Sequence, residues 1–134
     1  MKKLIKKILN RNKIGKKIFK KIKSIRAKKR RSNFVYYYEK NQILNNYIFY
    51  ESSCSKNFSS NPYALFLYMI NSPEYDHMYH VISVNNMKNS NMKKHKKNKN
   101  VIFVKKNTKK YAKYVETCKY LIVDNTVSNY YIKK

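Results

Sequence analysis

The stretch Tyr47-Ile48-Phe49-Tyr50-Glu51-Ser52-Ser53-Cys54-Ser55-Lys56-Asn57-Phe58-Ser59-Ser60-Asn61-Pro62 decides the fold. Its first four residues are a short apolar, β-favouring run, expected as a strand buried on both faces. A polar loop of hydroxyls with one lysine follows. Asn61-Pro62 then supplies an N-cap side chain and a first-turn proline, which predicts a helix over residues 62–72 ended by Asn71-Ser72-Pro73. Strand, loop and helix in that order form half of an α/β unit, and the loop lies at the carboxyl end of the strand. Open α/β folds place their ligands there.

Downstream the pattern repeats. His80 to Val84, with Tyr79 as its possible first residue, reads as a second strand. Residues 85–100 are an Asn- and Lys-rich loop, Val101-Ile102-Phe103-Val104 a third strand, residues 108–117 a helix, and Tyr120-Leu121-Ile122-Val123 a last buried strand. Short β-branched runs alternating with helices predict an α/β, Rossmann-like parallel sheet with crossover connections. Such a sheet needs helices on both faces, and residues 46–134 supply barely enough.

Upstream, residues 1–31 hold sixteen of the chain's 32 Lys and Arg residues and none of its six acidic ones. Leu4, Ile5, Ile8 and Leu9 make one aliphatic stripe. Ile14, Ile18, Ile22 and Ile25 make a second, offset by Asn10-Arg11-Asn12, so two short amphipathic helices are expected. Lysines flank both stripes, as in helices that lie in the interface of an anionic membrane. The candidate membrane-binding residues are Lys2, Lys3, Leu4, Ile5, Lys6, Lys7 and Ile8, then Ile14, Lys16, Lys17, Ile18, Phe19, Lys20, Lys21 and Ile22. A solvated basic tail and a nucleic-acid-binding tail are the alternatives. Nucleic acid is the weaker candidate partner, because phosphate contacts do not require periodic isoleucine. Residues 32–45, with the aromatic run Phe34-Val35-Tyr36-Tyr37-Tyr38, are expected as a connector or edge strand between this arm and the fold.

Composition narrows the function further. A formal net charge of +26 favours an acidic partner such as anionic lipid, nucleic acid or a polyanionic polymer. The single glycine, Gly15, sits in the arm, which leaves no Gly-rich phosphate loop, dinucleotide fingerprint or nucleophile elbow and argues against a self-contained nucleotide-using enzyme. Cys54 and Cys118 lack metal-ligand spacing, so no metal site and no cofactor is expected, and a reducing cytoplasm fits best. No apolar run approaches the length of a spanning helix, and no uninterrupted apolar core follows the basic amino terminus as it would in a secretory signal peptide.

Three segments together resemble one family. Tyr50-Glu51-Ser52 with Lys56 and Asn61-Pro62, then Val101 to Thr108 with Tyr111, then Thr117-Cys118-Lys119-Tyr120-Leu121-Ile122-Val123-Asp124-Asn125-Thr126, are similar in order and spacing to the CDP-glycerol glycerophosphotransferases of teichoic acid synthesis. The family usually has glycine where this chain has Ser55. The resemblance implies the amino-terminal, acceptor-binding half of a GT-B-like architecture, peripheral on the cytoplasmic face of the plasma membrane. It implies a lipid-linked polymer acceptor as partner, and CDP-glycerol only together with a donor domain. The family's Trp-His-Gly-Thr segment, which carries its proposed catalytic histidine, is expected beyond Lys134, so no catalytic residue is assigned and the chain alone is expected to be inactive.

On that resemblance Glu51, Ser52, Ser53, Ser55, Lys56 and Asn61 are the candidate acceptor-binding residues, with polar-loop solvation as the alternative. Glu51 and Asp124 end two strands and are candidates for a carboxylate pair, against capping or solvation. His77 and His80 do not suit a metal pair, since residues three apart on a strand point to opposite sides. His95, among four lysines, is expected in a solvated loop with a lowered pKa. The rival functions are a small basic module for a membrane or polyanion and a truncated product without function.

Overall fold

A computed structural model describes residues 13–86 and 90–132. Four strands, β1 (Leu44–Glu51), β2 (Tyr79–Ser83), β3 (Val101–Val104) and β4 (Cys118–Val123), form one sheet in the order β3-β2-β1-β4, with every pairing parallel. Helices α1 (Lys13–Lys40), α2 (Ser60–Ile70), α3 (Ser90–His95) and α4 (Lys109–Thr117) complete the order. The α/β, Rossmann-like expectation is met. Expected boundaries move by a few residues: β1 begins at Leu44, β4 at Cys118 and α4 at Lys109, α2 runs Ser60–Ile70 and β2 ends at Ser83, and the loop expected over residues 85–100 contains α3.

Alternation along the strands divides the core in two. Ile48 and Tyr50 of β1 join Phe58, Phe66, Ile82 and Met92 on the α2 and α3 side. Phe49 joins Val81, Val104, Tyr111, Val115 and Phe34 on the other. Phe34 belongs to α1, and its ring meets Tyr111 of α4 edge-on at 6.2 Å, while Tyr111 meets Phe49 edge-on at 5.6 Å. The layer of helix that residues 46–134 could hardly supply is therefore the carboxyl end of α1.

The first of the two expected helices and the break at Asn10-Arg11-Asn12 lie outside the described residues; the second helix extends further than expected. From Lys13 onward it is one continuous helix of 28 residues, crossing the boundary drawn at Arg31 and taking in the aromatic run expected as connector or edge strand. After Gly15 no glycine or proline interrupts it. Docking of Phe34 on α4 holds the tyrosine-rich end helical despite its β-propensity. Lys2, Lys3, Leu4, Ile5, Lys6, Lys7 and Ile8 lie outside the described residues. In α1, Lys16, Lys17, Lys20 and Lys21 are exposed, Phe19 and Ile22 half-buried, and Ile14, Ile18 and Ile25 exposed at 71%, 45% and 58%. No helix among the described residues is long and apolar enough to cross a membrane.

Candidate functional site

In a sheet of order 3-2-1-4 the chain moves outward from β1 through β2 to β3 and then crosses back to β4 on the other side of β1, so the carboxyl ends of β1 and β4 flank the switch point. Glu51 ends β1 there, and Asp124 follows β4. The Glu51 side chain is buried, 2% of the residue remaining exposed. Lys106, from the turn between β3 and α4, forms an ion pair with Oε1, and the Tyr111 hydroxyl donates to Oε2 at 2.6 Å. A buried carboxylate persists only with such partners. Burial, then the hydrogen bond to Glu51, pushes the Tyr111 hydroxyl well above its ordinary pKa, which keeps it a donor.

Asp124 has another partner. Its carboxylate accepts from the Ser53 backbone N–H at 2.9 and 3.2 Å, and its own N–H donates to the Glu51 carbonyl at 3.3 Å. The two carboxylates therefore have separate partners and are not paired with each other. Asp124 caps the turn that leaves β1, which favours the capping alternative.

That turn is conformationally unusual. Ser53, Cys54 and Ser55 have φ of 47°, 53° and 65°, three successive residues in the left-handed region that favours glycine. Side-chain and backbone hydrogen bonds stabilise it from both sides. The Ser55 hydroxyl pairs with that of Ser83 at 2.6 Å, and the Ser55 carbonyl accepts from Asn85 N–H at 2.7 Å. Ser52 Oγ donates to the Asn57 carbonyl at 2.9 Å and accepts from Ser59 N–H at 3.0 Å.

The six residues of the loop set thus separate by environment. Glu51, Ser52 and Ser55 are buried with their polar atoms engaged, Ser53 is half-buried with its amide on Asp124, and Lys56 and Asn61 are exposed. The expected N-cap also shifts: α2 starts at Ser60, where φ is 59°, which leaves Asn61 and Pro62 inside the first turn and Ser59 at the cap position without a side-chain cap bond.

Sequence reasoning placed Lys106, Tyr111 and Thr126 in family-like segments but assigned none of them, nor residues 127–130, to the site. Together with Cys54, residues Lys106, Thr126, Val127, Ser128, Asn129 and Tyr130 line a cavity of about 340 Å³ at this carboxyl edge. One ammonium group and several hydroxyl and amide groups suit a phosphate or polyol ligand. Lys106 was hidden among the chain's many lysines. Its position just past β3, on the same sheet edge as Glu51, is the signal that marks it.

The histidines have separate surroundings. His80 is buried under α2, its Nδ1 3.0 Å from the Tyr50 hydroxyl and its ring edge-on to Phe66 at 5.4 Å, and burial lowers its pKa to about 4. His77 is exposed beside a larger apolar cavity of about 590 Å³, which also touches the open side of β4 at Tyr120 and Ile122 and contains none of the switch-point residues. His95 is half-buried at the end of α3 rather than in a solvated loop, edge-on to Phe66 at 4.8 Å; burial, then Lys94, lowers its pKa. Among the described residues no group of three or more His, Cys, Asp or Glu is placed to hold a metal ion.

A parallel α/β domain with a polar crevice at its switch point is the kind of domain that binds phosphorylated or polyhydroxylated ligands. The family model described as CDP-glycerol:poly(glycerophosphate) glycerophosphotransferase matches residues 10–134, and the chain belongs to that family. No curated protein sequence matches it. Among solved structures, the wall teichoic acid polymerase TagF, in a variant soaked with CDPG, superposes with a TM-score of 0.64 at 20% identity, covering 89% of this chain and 29% of that one. TagF without either superposes with a TM-score of 0.61 at 19% identity, covering 89% and 28%. The chain therefore spans under a third of the length of these structures, and at such identity the likeness shows the fold.

Proposed function

We propose that these residues form the acceptor-side portion of a CDP-glycerol glycerophosphotransferase, held at an anionic membrane surface by α1. The family match over residues 10–134 carries the reading. In the complete reaction a hydroxyl of the polymer acceptor attacks the β-phosphate of CDP-glycerol. The bond to CMP breaks, glycerol phosphate is transferred to the acceptor oxygen, and the hydroxyl proton leaves to a base. The chain contains no tryptophan, and hence no Trp-His-Gly-Thr segment. Donor binding and the chemical step accordingly belong to other residues of such an enzyme.

Within this portion the acceptor lies along the carboxyl edge. Lys106 and the hydroxyls of Thr126, Ser128 and Tyr130 meet its phosphates and glycerol units, while Ser53 and Lys56 flank the entrance. Glu51, Ser52 and Ser55 act beneath it as positioning residues. The exposed isoleucines of α1, ringed by lysine, support attachment to the inner face of the membrane.

Two measurements on the purified chain test this reading. A glycerol phosphate oligomer is expected to shift backbone amide resonances of residues 124–130 and of Ser53, with no CMP released from CDP-glycerol in the presence of lipid-linked acceptor. CMP release, or shifts confined to other parts of the fold, would overturn it. Retention on RNA with a steep salt dependence, while anionic vesicles are ignored, would favour the polyanion-binding module instead.

A further inference from the structure

The positive charge of α1 is not spread evenly over the surface of the fold. At about 100° per residue, Ile14, Ile18 and Ile25 fall on one side of α1 and Phe34, which enters the core, lies roughly 180° away. Between these faces, Arg26, Lys29, Arg30 and Asn33 meet Asn107 and Lys109 at the start of α4, and together they line a concavity of about 480 Å³. None of the chain's six acidic residues lines it. Four cations line it without an acidic residue among them, and their mutual repulsion is relieved when an anion binds. Both amides can donate, and the amino end of α4 adds partial positive charge. Two of the cations are arginines, whose planar fork matches the oxygens of a phosphate group.

Its place relative to the isoleucines narrows the ligand. Arg26 is one helical turn beyond Ile22, and Lys29 one turn beyond Ile25. Further along the same side Tyr36 is 51% exposed, with the Lys109 ammonium 5.6 Å above its ring. Around the helix, Lys29, Arg26 and Arg30 follow the isoleucine face in turn, so with that face among acyl chains the hollow stands at the level of the headgroups. We infer that the hollow between α1 and α4 is a phosphate-group site, filled by the headgroup of an anionic lipid when the isoleucine face of α1 lies in a bilayer. This inference rests on the membrane reading above and adds to it a defined site in place of diffuse attraction.

Co-sedimentation of the full 134-residue chain with phosphatidylcholine vesicles, with and without phosphatidylglycerol, separates the two. Arg26→Gln with Arg30→Gln empties the hollow of both guanidinium groups. Lys16→Gln with Lys20→Gln removes equal charge from α1 elsewhere. All four side chains are outside the core, and circular dichroism checks that both variants remain folded. The arginine variant is expected to lose about tenfold more affinity for phosphatidylglycerol vesicles than the lysine control. Inorganic phosphate is expected to shift the amide resonances of Asn107 and Lys109 in the unmodified chain. Equal losses in the two variants would overturn the site while leaving membrane attachment standing. Phosphate shifts without any vesicle binding would overturn the lipid assignment and the membrane reading together.

Discussion

The Tyr111 hydroxyl donates to Oε2 of Glu51 across 2.6 Å, tying the first turns of α4 to the end of β1. Lys106 closes on the other oxygen of the same carboxylate. One side chain at the end of β1 therefore fixes two groups from the segment after β3, and the crevice takes its shape from that junction.

Removing either partner is expected to destabilise the chain by different amounts. Tyr111→Phe deletes one hydrogen bond to a buried charge and is expected to cost about 2 kcal/mol. Lys106→Met leaves the carboxylate buried without its cation and is expected to cost about 3 kcal/mol or more. Urea unfolding at neutral pH measures both. Midpoints indistinguishable from the unmodified chain would mean the junction does not hold the fold together.

His80 gives stability a defined pH dependence. Its folded pKa of about 4 lies below the ordinary value of 6.5, because burial disfavours the imidazolium. Above 6.5 both folded and unfolded states hold it neutral, and its contribution is fully present. As pH falls from there towards 4 only the unfolded state takes up the proton, so stability is lost across that window, by roughly 3 kcal/mol. Urea midpoints of the chain and of His80→Gln at pH values spanning the window are expected to converge as pH falls. Parallel curves would show that another group sets the dependence.

The turn after β1 offers a test of backbone geometry. Cys54 has φ 53° and ψ 40°, so Cys54→Gly is expected to be neutral or to stabilise by up to about 1 kcal/mol. Ala112→Gly, placed within right-handed α4, is expected to cost about 1 kcal/mol or more. Thermal unfolding of the two variants checks the contrast. A loss at Cys54 as large as at Ala112 would contradict the left-handed turn.

The alternation of strands and helices from Tyr47 to Val123 was legible because period and punctuation agree there, as in Tyr47-Ile48-Phe49-Tyr50 followed by a polar loop. Less legible was what depends on contacts distant in sequence. Phe34 lies in a run that looks extended, and only its seat against Tyr111 makes helix the better state. Ser55 looks like a ligand-facing hydroxyl until Ser83 is brought to it by strand pairing. Lys106 looks like one lysine among many until β3 delivers it to Glu51. The place of the loop at the carboxyl end of β1 was thus legible, while the direction its side chains face was not.

Helix α1 is also a lever. From Ile14 to Phe34 it runs about 30 Å, anchored to the sheet at one end and presenting isoleucine at the other. Because no break interrupts it, the bearing of the isoleucine face is geometrically locked to the bearing of the crevice. A single residue inserted between Ile25 and Phe34 would turn one against the other by about 100°. Whatever surface receives the far end therefore also dictates which way the mouth of the crevice points.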